Sequence, residues 1–456
     1  MSNLLAMFNA SGSALDVFQQ ALNVVQNNVN NASTPGYAKQ TLNLEAMPLD
    51  VTAGLAGGVA SAGLDDSRDS YVEDQVQRQT QALGQYTAQS QATGSLQSLF
   101  DASGNSGVAA ALSALSQSFS AWSVTPSDAT ARQSVLDSAD TLASSVRGLA
   151  ASLSQNGQEL DGSISSTAAQ INSIAAQVVA YNQSRLTETT PDPGQQAQLY
   201  SSLDNLSQLV NFSTVNQADG TVTVLLGGGS PLVIGQQQFS LGTASSATGA
   251  QVLDSQGNDI TSQITGGQLG GLLDTRNRVL GSMTSSLNQF AGALADSVNQ
   301  LQQSGTVSSD SGAASGAALF TYNSSSPAAT LALNPDITTA QLAPVDSSGN
   351  SNGNANQLAA LAGAPLTQLG GTSLTQYFGQ LTSQIGEENQ NATTNEQSQQ
   401  QVVAQATSLR NQVSGVSLDE EAVNVLTFQR SYQAAAQVLT VLNTLADSVL
   451  NLVPQY

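Results

Sequence analysis

Leu4, Phe8, Ser11, Leu15, Phe18, Leu22, Val25 and Val29 recur at alternating intervals of four and three residues, and the run closes in Asn27-Asn28-Val29-Asn30-Asn31-Ala32-Ser33-Thr34-Pro35-Gly36-Tyr37. Such spacing is a heptad seam with one polar interruption, at Ser11. The Asn pair can end a helix and Pro-Gly demands a turn, so the helix is predicted to stop near Asn30. The far end of the chain repeats the pattern without a break, in Val425, Phe428, Tyr432, Ala435, Leu439, Leu442, Ala446 and Val449, with Pro454 to close it. Its start is marked by Ser417-Leu418-Asp419-Glu420, which reads as a capping box, and Glu421 adds negative charge at the positive end of the helix dipole. Both ends are therefore expected to be amphipathic helices. Heptads do not reveal whether such seams pair within the chain or with a neighbour. Their flanks hold Gln429, Gln433, Gln437 and Asn443 and little charge beyond Arg430, which suits packing in a larger assembly where geometry sets the register.

Working inward, stretches near 70–122, 129–186, 196–211, 268–303 and 371–413 are rich in Ala, Gln and Leu with apolar residues three or four apart, and are predicted helical. Pro126, Pro191 and Pro193 break them into separate rods. Thr221-Val222-Thr223-Val224-Leu225-Leu226 and Leu232-Val233-Ile234 flank Gly227-Gly228-Gly229, which predicts a hairpin. The Ser-, Gly- and Asn-rich segment 304–353 has little periodicity and reads as loop or loose linker. No fixed-period repeat occurs. The expected fold is mainly α: terminal coiled-coil helices plus a long helical bundle with a small inserted β subdomain. Residues 1–62 with 402–456 form the terminal unit, 63–212 with 265–401 the bundle, and 213–264 the β subdomain.

Composition narrows the function. The chain has 456 residues, a net charge of −22 and only 9% charged residues, with Lys39 its single lysine. Such a surface repels phosphate backbones, which excludes nucleic-acid binding by counterion release. With 0 Cys and 0 His, thiol nucleophiles, most zinc and haem sites and Ser-His-Asp triads are ruled out. No stretch of about 18 apolar residues is present to insert in a membrane, and Met1 to Phe8 lacks the basic and apolar regions of a cleavable secretory signal. Asp419, Glu420 and Glu421 could serve as acid-base carboxylates or metal ligands, but helix capping accounts for all three. Gly57-Gly58 and Gly227 to Gly229 read as turns, since neither precedes the lysine of a phosphate loop. Lys39 reads as a solvated surface lysine, and Trp122 as a core anchor. No catalytic, cofactor or metal residue is assigned.

The run from Asn27 to Tyr37, set just after a heptad helix, resembles the N-terminal signature of the axial proteins of the bacterial flagellum, the rod, hook and hook-associated proteins. Ser414-Gly415-Val416-Ser417-Leu418-Asp419-Glu420-Glu421, followed by Phe428-Gln429-Arg430-Ser431-Tyr432-Gln433-Ala434-Ala435-Ala436, looks like the C-terminal helix of the hook-associated branch. Residues 129–135, 270–276, 297–305 and 352–356 are similar to helical-core segments of that branch. Between Leu319-Phe320 and Leu331-Ala332-Leu333-Asn334 the chain is much shorter than the family's outer insertion. The signature positions are Asn28, Asn31, Thr34, Pro35, Gly36, Tyr37, Leu418, Asp419, Glu420, Glu421 and Gln429.

The resemblance implies a structural adaptor at the hook-filament junction, self-assembling into a ring through its terminal helices and carrying no cofactor. The assembly interface would comprise Leu4, Phe8, Leu15, Phe18, Leu22, Val25, Val29, Val425, Phe428, Tyr432, Leu439, Leu442 and Val449. Partners would be copies of itself, the hook protein, the next hook-associated protein on the filament side, and before secretion an export chaperone at Phe428, Tyr432, Leu439 and Leu442. The protein would lie in the extracellular flagellum, exported by the flagellar type III apparatus without a cleaved signal. Two alternatives share parts of the pattern: a hook or rod subunit, and a secreted carboxylate-dependent peptidoglycan hydrolase. A hook protein would put mostly β structure between its ends, and a hydrolase would need two carboxylates in an aromatic-lined cleft, whereas aromatics are 4% of this chain.

Overall fold

Helix α1 runs from Ser2 to Asn31, and α11 (Leu418–Asn451), at the far end of the chain, packs antiparallel along it. A computed structural model describes residues 2–50, 55–100, 106–187 and 192–451. Pro191 and Pro454 lie outside the described residues. Val17, Ala21, Val25 and Asn28 form the buried line of α1, one position round from much of the expected seam.

After α1 the chain forms a long antiparallel ribbon, β1 (Gln40–Asp50) and β2 (Leu55–Asp66), with a bulge between Asn43 and Leu44. β2 lies along α1. The sequence reading gives no strand here, because the ribbon is largely exposed on both faces and lacks the apolar alternation of a half-buried strand.

The bundle consists of α2 (Ser70–Gln97), α3 (Gly107–Val124), α4 (Ala129–Thr187), α5 (Pro193–Leu209), α6 (Gly267–Asp274), α7 (Leu280–Ser304) and α10 (Leu374–Ser414), with short α8 (Pro327–Thr330) and α9 (Gly353–Ala360) between the last two. The region expected as one helix over 70–122 is two. Asp69 caps the first, accepting from the amides of Tyr71 and Val72, and the chain turns at Ser98. The 59-residue α4 is the spine, burying Val135, Leu142, Val146, Leu153, Ile164, Ile171 and Val178 along one stripe. Each such side chain contributes about 1.5–3 kcal/mol on leaving water. α2 packs on α10, α6 and α5, and α3 on α4 and α9. Trp122 is fully buried and donates from Nε1 to the Pro126 carbonyl at 3.2 Å.

The expected hairpin is present as β4 (Val222–Leu226) and β5 (Pro231–Ile234), turned by Gly227 to Gly229. β3 (Phe212–Asn216) and β6 (Gln237–Gln238) extend it to four strands, and β7 (Gly242–Ser246) with β8 (Gly249–Leu253) makes a second hairpin. Between α6 and α7 the helix widens into a π turn, Thr275–Val279. From it Arg276 reaches Asp161 at 2.8 Å and the Ser246 carbonyl at 2.8 Å, and Asn277 pairs with both backbone groups of Ala250. The π turn thus holds β7–β8 to the spine.

Residues 304–353 are irregular but not loose. They include β9 (Phe320–Thr321) and β10 (Ala332–Leu333), and bury Leu319, Phe320, Leu331, Leu342 and Ala343 almost completely. Side-chain amides of α7 replace a strand ladder: Asn299 accepts from the amides of Leu319 and Phe320 and donates to the Phe320 carbonyl, while Gln302 accepts from Ala343. The anchors are too widely spaced to register as periodicity.

The division expected at 62/63 falls inside β2, and that at 401/402 inside α10. Among the described residues, no helix is long and apolar enough to cross a membrane.

Candidate functional site

The signature residues converge where α1 ends, β1 begins and α11 starts. α1 stops because Thr34 closes back on it, its amide bonding the Asn31 carbonyl at 2.9 Å and its hydroxyl the Asn31 side chain at 3.1 Å. The Tyr37 amide then bonds the Thr34 carbonyl, with Gly36 at a φ of 75°. Pro35 and Thr34 are exposed at the tip of this turn.

Asn28, 1% exposed, has every hydrogen-bonding position in use. Its Nδ2 donates to the Gln40 carbonyl at 2.9 Å and to Glu421 Oε2 at 3.2 Å, while its Oδ1 accepts from the Tyr37 hydroxyl at 2.9 Å and the Gln40 amide at 2.9 Å. One side chain thereby ties helix, turn, strand and C-terminal helix together. Burial, with the Glu421 carboxylate adding to it, pushes the Tyr37 phenol up to about 12.

Lys39 is not the solvated lysine expected. Its ammonium is held by Glu420 at 2.6 Å and lies 3.9 Å from Glu421, and its backbone amide bonds the carbonyl of Ser414, the last residue of α10. The capping box at Ser417 forms only by half. Ser417 Oγ accepts from the Glu420 amide at 3.4 Å, but the Glu420 carboxylate turns to Lys39. Glu421 is fully buried in the junction rather than fringing the helix end. Leu418, Asp419 and Gln429 are exposed.

A second cluster, with no signal in the sequence beyond its charges, docks the turn on the bundle. Arg68 donates to the Gly36 carbonyl at 2.6 Å and to Glu73 at 2.7 Å, and lies 3.6 Å over the Tyr200 ring. Arg410 bridges Glu73 at 3.4 Å and Asp204 at 2.8 Å. Burial pushes the Glu73 carboxyl above its usual range, against the pull of Arg68 and Arg410. A Cβ on Gly36 would run into the Ala197 carbonyl and the Ser201 amide of α5, so only glycine lets the turn sit there. Gln40, Arg68, Glu73 and Arg410 are the junction residues that sequence reasoning missed; nothing in their local spacing marks them, and the contacts that join them to the junction include pairs as far apart as Arg410 with Glu73 and with Asp204.

Of the expected interface, Val25 and Leu442 are buried between the terminal helices. Leu4, Phe8, Leu15, Phe18, Leu22, Val425, Phe428 and Leu439 are half-buried, and Val29, Tyr432 and Val449 are exposed. Among the described residues no three of His, Cys, Asp and Glu come together to hold a metal ion. Buried amides, paired charges and half-covered apolar lines are a mechanical arrangement, suited to holding chain ends in one geometry.

Comparison with known proteins agrees with that character. The family described as flagellar hook-associated protein FlgK helical domain matches residues 93–320, half of the chain. Residues 410–452 match the C-terminal region of the flagellar basal body rod FlgEFG proteins, and residues 8–37 the flagella basal body rod protein. Flagellar hook-associated protein 1 of Bacillus subtilis is 25% identical, over 96% of each chain. That of Salmonella typhimurium is 29% identical over 60% of this chain and 52% of its own. Among solved structures, the flagellar hook junction protein FlgK from Burkholderia pseudomallei shares the fold at a TM-score of 0.66 and 16% identity, covering 75% of this chain and all of that one.

Proposed function

The chain belongs to the FlgK family of flagellar hook-associated proteins, structural components of the flagellum rather than enzymes, and on that premise we propose that it is an adaptor at the hook-filament junction. Copies of it assemble into a ring through the paired terminal helices, between the hook protein on one side and the next hook-associated protein on the other. The observation that carries this reading is the signature junction. Asn28, Tyr37, Lys39 and Glu421 fix the two chain ends as one antiparallel unit, and that unit leaves apolar side chains uncovered. A lone helix pair is marginal in water and gains stability when neighbours bury such side chains.

In this reading the terminal unit of 1–62 and 402–456 makes the assembly contacts, the bundle of 63–212 and 265–401 stands outside it, and 213–264 is an outer decoration. The protein leaves the cell through the flagellar type III apparatus, without a cleaved signal. An export chaperone holds Phe428, Tyr432, Leu439 and Leu442 beforehand, and because Leu442 is buried against α1, the chaperone takes the place of α1. A hook or rod subunit would share both end matches; the helical-domain match over 93–320 favours the junction.

The test is electron microscopy of cells lacking the gene, with an assay for flagellin in the medium. Bare, complete hooks with flagellin shed outside are expected. Cells without hooks would move the protein to the rod or hook, and normal flagella would refute the assignment.

A further inference from the structure

Of the ten cations in the chain, Lys39, Arg68, Arg276, Arg278 and Arg410 pair with carboxylates, and Arg78, Arg132 and Arg147 bond side-chain or backbone oxygens. Arg430 is exposed to water. Arg185, in the last turn of α4, is the exception: its Nη1 is buried and makes no hydrogen bond or ion pair among the described residues. A guanidinium cannot shed its charge, so a buried nitrogen left without an acceptor is costly. The nearby carboxylates are committed elsewhere. Asp219 accepts from the amide and hydroxyl of Thr221, at 2.9 and 2.7 Å, and Asp192 caps α5 by accepting from the Gly194 amide at 2.8 Å. Gly220, at a φ of 81°, carries no Cβ, which would fall 3.0 Å from Nη2 and 3.1 Å from Nε, so the turn before β4 leaves the guanidinium room.

Arg185 lines a hollow of about 210 Å³ between the end of α4, the start of α5 and β3. That is room for about seven waters, more than one bridging molecule. Four further polar side chains line it with no hydrogen bond of their own among the described residues: the phenols of Tyr181 and Tyr200 and the amides of Gln196 and Asn216. Burial pushes both phenols above their ordinary range, so they stay protonated and able to donate. Leu199 and Val222, both buried, line it too and keep water from weakening such bonds. Five donors around one small space, one of them a fixed positive charge, suit a ligand rich in acceptors, and the group that matches a guanidinium fork is a carboxylate.

We propose that this hollow is a binding site for a carboxylate, held by Arg185, with Tyr181, Tyr200, Gln196 and Asn216 completing its hydrogen bonds. The space takes one group of the size of a glutamate side chain. Such a group has two sources, an acidic side chain of an adjoining subunit in the flagellum or a free acid of the surroundings. Asp192 is the one carboxylate among the lining residues and stands exposed at the rim, where it opposes an anionic ligand without filling the site.

Arg185 makes no bond within the described chain, so Arg185→Gln should fold with an unchanged denaturant midpoint. The same variant should bind glutarate, the probe acid, roughly tenfold more weakly, the worth of one charge-assisted hydrogen bond. Asp192→Asn, which keeps the helix cap but removes the carboxylate from the rim, should tighten binding severalfold. The chain has no cysteine, so Gln196→Cys gives a single reporter at the site. Glutarate should slow its alkylation by N-ethylmaleimide in the monomer, and glucose should not. Slow alkylation in isolated hook-filament structures without added acid, relieved by Arg185→Gln, assigns the carboxylate to an adjoining subunit. Equal rates in monomer and assembly, with glutarate protecting both, assign it to a free acid. The proposal is overturned if glutarate leaves the monomer unprotected and Arg185→Gln changes nothing in the assembly, if glucose or inorganic phosphate protects and glutarate does not, or if Arg185→Gln binds glutarate as the parent does. Faster alkylation on adding Glu188→Gln overturns it too, the site then being filled by the chain's own carboxylate. None of these outcomes bears on the placement at the hook-filament junction, which stands or falls on its own test.

Discussion

Asn28 and Glu421 lie 393 residues apart in the chain and 3.2 Å apart in space, the amide of one donating to the buried carboxylate of the other. The two termini are one structure because of this contact and those that converge on it. An uncompensated Glu421 would be costly where it lies, so the junction forms whole or not at all.

Asn28→Ala removes all four hydrogen bonds and leaves the Tyr37 hydroxyl and Glu421 short of partners. The expected loss is about 2–4 kcal/mol, from one or two unsatisfied buried groups. Hydrogen exchange of α11 amides should speed up while α4 amides stay protected; equal protection of α11 in the variant and the parent would rule out the junction as the clamp.

Gly36→Ala strains a φ of 75° and drives a methyl into the backbone of α5. Undocking of the turn should release Arg68 from the Gly36 carbonyl and raise protease cleavage near residues 34–40. Arg68→Ala, which leaves the buried Glu73 with only the longer contact to Arg410, should cost about 1.5–3 kcal/mol in denaturant unfolding. Arg68→Lys should recover only part, since an ammonium has no fork to serve two acceptors and a ring at once.

Alkaline pH should loosen the junction. The Tyr37 phenol titrates at about 12 folded and near 10 unfolded, so the folded state holds the extra proton in between. The stabilisation is complete below about pH 10 and is lost as pH rises through 12. Tyr181 and Tyr200 are raised by burial in the same direction, so the contrast to measure is with Tyr37→Phe. Tyrosinate absorbance should lose one late-titrating group in that variant; an unchanged titration would contradict the burial described.

Asn277→Ala breaks the two bonds that hold Ala250 to the π turn. Exchange protection across residues 242–253 should fall by roughly tenfold, the worth of about one net hydrogen bond, with the terminal helices unaffected.

Periodicity disclosed both terminal helices and the spine, because each buries one face and so prints its period in the residue order, while the β4–β5 hairpin was legible as two β-branched runs across Gly227 to Gly229. The β1–β2 ribbon left no such trace, being exposed on both sides. Residues 304–353 left none either, because α7 side chains at Asn299 and Gln302 satisfy their backbone. At the junction, Asn28, Tyr37 and Glu421 stood out as a family pattern, but their roles did not. Glu420 and Glu421 read locally as caps, and Lys39 as a surface charge.

By itself the sequence determined where the chain bends and which faces are apolar, since Pro-Gly turns, caps and heptads act over a few residues. Only the tertiary structure decided which carboxylate meets Asn28, which face of α1 is covered and which face of α11 is left open. Those outcomes depend on bringing together segments hundreds of residues apart, and a buried charge finds its partner only once the fold has removed the water around it.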